Sequence, residues 1–444
     1  MPLLWSLGKD KMKKVGLVSL GCCKNLVDSE MILKNFVNAG YEITNDPSAA
    51  DVIVVNTCGF IQDSKQESIN TIFEMAQYHK KLVITGCLSQ RYYDTLKDLI
   101  PEVDLFIKID DYHKFNSLMR TVDPEYSQKE TGLDNLERVN STNGFTSYIK
   151  IAEGCSNCCT YCAIPLIRGL IHSREMEDIL NEAKKLASTG VKELVVIAQD
   201  TTKYGIDIYG KPRIEDLLKE LLKIKEFAFI RLLYLYPDEI SDELIDMFKS
   251  EPRLTPYFDI PIQHSETSVL KAMNRRGDKK LLANLFNKIK ERVPNAILRT
   301  TIMVGFPGET DEDVENLVKF IQEVEFDHLG AFTYSREEDT VSYDFEDQID
   351  EDIKNKRYDI VMKAQGHISY RKNKGHIGEI MDGIIVGVEK GKYLFRSYWN
   401  APDDIDGKII ISSDQPLKIG ELAKVKITNA SIYDLAGEFI SYNK

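Results

Sequence analysis

Four of the chain's eight cysteines fall within eight residues, in the stretch Glu153-Gly-Cys-Ser-Asn-Cys-Cys-Thr-Tyr-Cys-Ala-Ile-Pro165. Taken as Cys155, Cys159 and Cys162, the spacing is C-x3-C-x2-C. That spacing suits three thiolates at three corners of a cubane iron–sulfur cluster. Such clusters usually take four thiolates. Three leave one iron open, and an open metal position usually marks chemistry rather than structure. Cys158 complicates the register, because it also makes C-x2-C with Cys155. A zinc knuckle or a disulfide knot would draw on the same residues. The other four cysteines are Cys22, Cys23, Cys58 and Cys87, and none follows Cys162. A disulfide-stapled secreted protein would be small, with cysteines spread through the fold. Confinement of all eight to the first 162 of 444 residues fits a reducing cytosol and metal ligation better.

Along the chain, short apolar runs alternate with helical periodicity. Lys14–Ser19, Asp51–Asn56, Lys81–Thr85 and Val103–Ile107 read as strands. Leu20–Asn25 reads as a turn, and Val27–Val37 and Ile61–Tyr78 read as helices. This alternation predicts a doubly wound parallel sheet. Cys22, Cys58 and Cys87 each stand just past a strand's C-terminal end, the edge where open α/β sheets bind ligands. Singly, each reads as a small buried hydrophobe; jointly, each beside a glycine, they point to a shared metal site. Cys23 is the expected non-ligand. Thr121–Thr146, polar and without period, reads as an interdomain linker.

A second α/β series follows. Its strands are expected at Tyr148–Ala152, Glu193–Ala198, Phe229–Tyr234, Tyr257–Ile260, Ala296–Val304 and His328–Thr333. Helices are expected at Met176–Ala187, Asp216–Ile224 and Asp311–Val324. Six βα repeats predict a partial (β/α)6 TIM-like barrel, whose active site would lie at the C-terminal strand ends. The Cys155–Cys162 loop follows the first strand, at that mouth. From about Gly375 the runs are short and β-rich: Glu379–Val388, Lys392–Ser397, Lys408–Ser412, Leu422–Ile427 and Gly437–Ser441. They predict a small, OB-like all-β domain.

Candidate binding residues lie at the barrel mouth. Gln199 and Asp200 end the second strand and could take the amino-acid end of a cosubstrate, though Asp200 also reads as a helix-capping residue. Arg231 and Tyr234 belong to the third strand and its exit, and Arg231, with Gln199, Asp200 and Gly305, is expected to contact the cosubstrate. Gln263 and His264 follow the fourth strand. Gly305 opens Gly-Phe-Pro-Gly308, whose glycines permit close backbone approach or simply make a tight turn. Arg168, Arg174 and Asn274-Arg-Arg276 read as cosubstrate or substrate contacts, or as surface residues.

The bulk numbers bound the partners. A net charge of −13 argues against broad nucleic-acid binding and leaves room for a basic partner. From Gly375 onward there are ten acidic and eight basic residues, so no basic RNA-gripping face is evident. No apolar run approaches the ~20 residues of a membrane span. Residues 1–11 do not read as a secretory signal; they are read as a dispensable extension before a second start at Met12. There is no P-loop and no H-E-x-x-H.

At its cysteine motifs the chain resembles the radical S-adenosylmethionine (SAM) methylthiotransferases, from about Lys14 to Ile440. The resemblance implies an N-terminal methylthiotransferase domain (12–125), a radical SAM core (141–372) and a TRAM domain (375–444). It implies a 4Fe–4S cluster on Cys155, Cys159 and Cys162, an auxiliary 4Fe–4S cluster on Cys22, Cys58 and Cys87, and the two cysteine sets facing each other. Ser19-Leu-Gly-Cys-Cys-Lys-Asn-Leu-Val-Asp-Ser-Glu30, Asn56-Thr-Cys-Gly-Phe-Ile61, Ala198-Gln-Asp-Thr-Thr202, Ala401-Pro402 with Ile405-Asp-Gly407, and Tyr433-Asp-Leu435 look like one branch of that family. That branch modifies the β-carbon of an aspartate in small-subunit ribosomal protein twelve. The other main branch modifies an adenosine of tRNA. Cys23 stands where the first branch usually has proline, and Cys158 where a polar or basic residue is usual. The chemistry implied is reductive cleavage of SAM to a 5′-deoxyadenosyl radical, hydrogen abstraction from the target carbon, and delivery of methylated sulfur at the auxiliary cluster. A reduced flavodoxin or ferredoxin-type electron donor and a cytoplasmic location are implied with it.

Overall fold

The computed structural model describes residues 12–127, 132–133, 138–402, 405–413 and 415–443; the extension expected at residues 1–11 lies outside them. The chain divides into two units. One runs through Ser141 and takes in Leu166–Arg168; the other comprises Thr142–Pro165 and Gly169–Lys444.

The first unit is built on β1 (Lys14–Ser19), β2 (Glu42–Ile43), β3 (Val52–Thr57), β4 (Lys81–Gly86) and β5 (Leu105–Phe106). All pair in parallel, in the order β2-β1-β3-β4-β5. Strand β3 is buried throughout, as an apolar run covered on both faces must be. Ile32, Phe36, Phe115 and Met119 pack on one side of the sheet, against Val52, Val54 and Val83. Ile72, Met75, Leu88 and Leu96 pack on the other, against Ile53, Val55, Leu82 and Ile84. The strand order reverses between β1 and β3, which makes that crevice the topological switch point.

Two expectations are corrected here. The turn read at Leu20–Asn25 is shorter, because the helix Cys23–Asn38 begins at Cys23 with Cys22 as its N-cap. The linker read at Thr121–Thr146 contributes core to the first unit. Asp123 is buried and accepts from Lys13 Nζ at 2.8 Å, and Tyr126 packs edge-on against Phe36. Arg138 pairs with buried Glu30 at 2.7 Å. These are single anchors without a period, so hydrophobic patterning does not register them.

The second unit holds β6 (Thr146–Lys150), β7 (Ala152–Glu153), β8 (His172–Ser173), β9 (Glu193–Ile197), β10 (Phe229–Leu232), β11 (Tyr257–Asp259), β12 (Ile297–Val304) and β13 (His328–Thr333). Strands β6-β9-β10 and β11-β12-β13 form two parallel sheets. They are joined where Ile230 bridges Leu254 and Leu235 N–H donates to the Asp259 carbonyl at 2.9 Å. Six βα repeats in chain order make the expected partial barrel. The first strand is shorter than expected. The chain breaks at Ile151, and Ala152 pairs instead with Ser173 across the antiparallel β7–β8 ribbon.

Strands β14 (Ile380–Glu389), β15 (Lys392–Ser397), β16 (Ile409–Ser412), β17 (Leu422–Ala430) and β18 (Leu435–Tyr442) close a small barrel. It is tied to the N-terminal ends of the larger barrel's strands. Arg396 Nε donates to Glu193 at 2.7 Å, Tyr257 Oη to Asp406 at 2.6 Å, and His328 Nε2 lies 2.7 Å from the Trp399 carbonyl. This docking leaves the C-terminal strand ends to the cysteine loop. No described helix is long and apolar enough to cross a membrane.

Candidate functional site

In the first unit, three cysteines meet at the ends of three adjacent strands. Cys22 follows β1 as a helix N-cap, Cys58 follows β3, and Cys87 opens the helix Cys87–Leu99 directly after β4. Cys22 and Cys58 therefore straddle the switch point. Gly86 sits at φ +92°, and a Cβ there would lie 2.4 Å from the Thr57 carbonyl oxygen, so only glycine lets β4 deliver Cys87. Helix N-termini favour the thiolate, but burial opposes it. Burial pushes the Cys87 thiol up to about 11, against the pull of Arg168, and the Cys22 and Cys58 thiols add to the rise. Cys58 is also raised by burial. Asn25, fully buried, frames the site: its Nδ2 donates to the Leu20 and Thr57 carbonyls at 3.0 and 2.9 Å, and its Oδ1 lies 3.5 Å from Cys87 Sγ.

In the second unit, the β7–β8 ribbon closes the neck of the Cys155–Cys162 loop. Gly154 at φ +70° lies so close to the other side of the neck that a Cβ would sit 2.2 Å from the Leu170 carbonyl oxygen. Cys155 N–H donates to the Gly169 carbonyl at 3.1 Å. Asn157 is gripped from β9's exit: its Nδ2 donates to Asp200 at 2.7 Å and its Oδ1 accepts from Lys203 Nζ at 2.5 Å. Asn274 Nδ2 donates to the Cys158 carbonyl at 2.8 Å, and Thr160 Oγ1 to that of Ala272 at 2.9 Å. Arg275 Nη1 lies 3.8 Å from Cys159 Sγ, with its guanidinium over the Tyr236 ring. Burial pushes Cys155 up to about 11 and Cys162 up to about 12, and neighbouring thiols push the same way.

Among the described residues, no three His, Cys, Asp or Glu groups close around a single metal ion. The fit to iron–sulfur rests on donor chemistry. Each set offers three soft sulfurs within electrostatic reach of one another, and the buried thiols need a cationic partner to ionise.

The four residues expected at SAM part company. Gln199 Oε1 is buried at the end of β9 without a hydrogen-bond partner, as a ligand-binding group would be. Asp200 is committed: Oδ1 takes the Thr202 amide and hydroxyl, and Oδ2 takes Asn157. Arg231 is corrected. Its buried guanidinium serves Glu193 at 3.1 Å and the Ser397 carbonyl at 2.8 Å and lies over the Tyr257 ring, toward the N-terminal strand ends. Gly305 is close to protein rather than to open space, since a Cβ there would meet Lys354 at 2.3 Å. The open glycine is Gly308, on a cavity of about 530 Å³ with Ser268, Val269, Pro307 and Asp344. Arg174 is structural, bonding Glu182 and the Lys150 carbonyl. Asn157 went unnoticed in the sequence; a polar side chain inside a ligand loop was its one signal. His264 is fully buried. Its Nδ1 accepts from Glu266 N–H at 3.0 Å, leaving Nε2 without a hydrogen-bond partner, 3.8 Å from Glu309.

Residues 14–108 match the uncharacterized protein family UPF0004, 149–321 the radical SAM superfamily and 377–440 the TRAM domain. Among solved structures, the radical SAM methyltransferase TsrM from Kitasatospora setae is similar with a TM-score of 0.51 at 13% identity, over 72% of each chain. The cobalamin-dependent radical SAM enzyme OxsB is similar with a TM-score of 0.50 at 10% identity, over 80% of this chain and 56% of that one. At such identities the likeness establishes the fold. The class is thus a radical SAM enzyme with a UPF0004 module before the core and a TRAM barrel after it. The chain is 45% identical to the ribosomal protein uS12 methylthiotransferase RimO of Thermoanaerobacter sp. (strain X514), over 96% of this chain and all of that one. It is 46% identical to that of Clostridium kluyveri and 48% to that of Clostridium botulinum (strain Eklund 17B), over 96% of this chain and 98% and 97% of theirs. It belongs to the RimO family of radical SAM methylthiotransferases, rather than to the tRNA-modifying branch.

Proposed function

We propose that this chain transfers a methylthio group to the β-carbon of an aspartate of ribosomal protein uS12, in the cytosol, using two 4Fe–4S clusters and SAM. The observation that carries the proposal is full-length identity of 44–48% to uS12 methylthiotransferases, in a chain whose two cysteine sets both sit at C-terminal strand ends. Cys155, Cys159 and Cys162 would hold the radical SAM cluster, and Cys22, Cys58 and Cys87 the auxiliary one. Bound there, the clusters and SAM supply the carbon-centred radical and the methylated sulfur. The chain's own groups hold and orient. Asp200 and Lys203 fix Asn157, and with it the cysteine loop. Arg275 sets a fixed positive charge at Cys159. Gln199, whose Oε1 has no hydrogen-bond partner, would accept from the ammonium group of SAM. A flavodoxin- or ferredoxin-type protein would supply electrons, and uS12 would be taken free or in the small subunit. A net charge of −13 suits a basic protein substrate.

Mass spectrometry of uS12 from a strain lacking this gene tests the proposal. The uS12 of that strain should lack the mass of a methylthio group that the parent carries. Identical masses, or loss of methylthioadenosine from tRNA instead, would defeat it.

A further inference from the structure

We propose that Arg168 is a positioning residue for the auxiliary cluster, donating to the Cys87 sulfur and raising that cluster's reduction potential. The inference rests on the reading that Cys22, Cys58 and Cys87 hold a cluster.

Arg168 belongs by its contacts to the first unit, although the residues on either side of Leu166–Arg168 belong to the second. Its side chain is 2% exposed. Nη1 donates to Asp28 Oδ2 at 2.8 Å; Nη2 donates to Asn25 Oδ1 at 2.5 Å and to Cys87 Sγ at 3.7 Å. Asp28 is as deeply buried, and both acceptors lie on the helix that Cys22 caps. The helix that carries one thiol therefore aims the guanidinium at another. The planar fork allows this, with one nitrogen on the carboxylate and the other on the amide oxygen and sulfur.

A buried ion pair is weak evidence for stability, since an apolar pair of similar volume often serves as well. The contact to Cys87 gives this pair a further consequence. A thiolate that ligates iron becomes more negative when the cluster takes an electron. A hydrogen bond and a nearby cation favour that state, and such groups are among the levers that set cluster potentials. Asp28 works in the opposite sense, so the two side chains should move the potential in opposite directions.

The test uses full-length protein carrying Cys155→Ala, Cys159→Ala and Cys162→Ala, reconstituted anaerobically so that only the auxiliary cluster remains. If this protein holds no 4Fe–4S cluster by iron, sulfide and electron paramagnetic resonance, the underlying reading falls. If it holds one, redox titration separates the outcomes. Arg168→Met should lower the midpoint potential, Arg168→Lys should lower it less, and Asp28→Asn should raise it. An unmoved potential in Arg168→Met overturns the proposal. Should that variant lose its cluster, the measurement passes to protein with Arg168 intact and guanidino-15N arginine. Electron–nuclear double resonance should then show a nitrogen coupling to the reduced cluster that Arg168→Lys abolishes; no coupling overturns the proposal.

Discussion

Arg275 reaches Cys159, with Nη1 3.8 Å from the sulfur and Nη2 donating to the Pro261 carbonyl at 2.6 Å. The neighbouring Cys158 is exposed, at φ +50°, with its backbone carbonyl held by Asn274. A buried cation on one sulfur and an exposed neighbour support the register we propose, Cys155, Cys159 and Cys162. Cys158→Ala should keep full iron and sulfide per chain, whereas Cys159→Ala should lose one cluster's share. The reverse result would move the register to Cys155 and Cys158.

Gln199 and Asp200 are adjacent, yet their variants should fail differently. Asp200→Ala removes one grip on Asn157, leaving that of Lys203, and should reduce occupancy of the Cys155/Cys159/Cys162 cluster, read as iron content. Gln199→Ala removes only the unpaired acceptor. It should leave iron unchanged and weaken SAM binding roughly tenfold, the cost of one hydrogen bond to a charged group. Isothermal titration on the holoenzyme separates the two. Equal iron loss in both variants would make Gln199 structural.

Arg231 should matter to folding and not to SAM. Burial alone would raise the Glu193 carboxyl, but Arg396 and Arg231 outweigh it and hold it below its ordinary range. The stability this contributes is present above the ordinary Glu pKa and is lost as acidification passes through the lowered one. Arg231→Met should cost about 3 kcal/mol, read in thermal unfolding, with SAM affinity unchanged. A selective loss of SAM affinity would restore Arg231 to the cofactor site.

Much of this arrangement was legible in the sequence because it depends on local pattern. The run Val52–Thr57 is a central strand, and chain order then puts Cys22, Cys58 and Cys87 on one edge. The residues misread are those whose meaning comes from distant partners. Arg231 looks like a mouth residue until Glu193 and Ser397, 38 and 166 positions away, claim it. Gly305 looks like a ligand cradle until Lys354 fills the space. Asp123 sits in a polar stretch and anchors a sheet through Lys13, 110 positions away. Arg168, six residues past Cys162, carries no sign in sequence that Asp28 and Cys87 await it.

His264 and Glu309 form a buried pair whose effects on stability oppose each other. Burial pushes Glu309 up to about 7, even against the Gly305 amide and Arg357, and pushes His264 down to about 4. For Glu309 the folded state binds the extra proton, so between its ordinary 4.5 and about 7 stability falls as pH rises. For His264 the unfolded state binds the extra proton, so between about 4 and its ordinary 6.5 stability rises with pH. The windows overlap, and the wild-type contribution from the pair should be nearly flat. His264→Gln removes the rising half and Glu309→Gln the falling half, each exposing a slope of roughly 3 kcal/mol at most across its window. Thermal unfolding of holoenzyme between pH 4.5 and 7 should therefore show the His264→Gln midpoint falling relative to wild type and the Glu309→Gln midpoint rising. Parallel profiles for all three proteins would mean that the two groups do not titrate against each other.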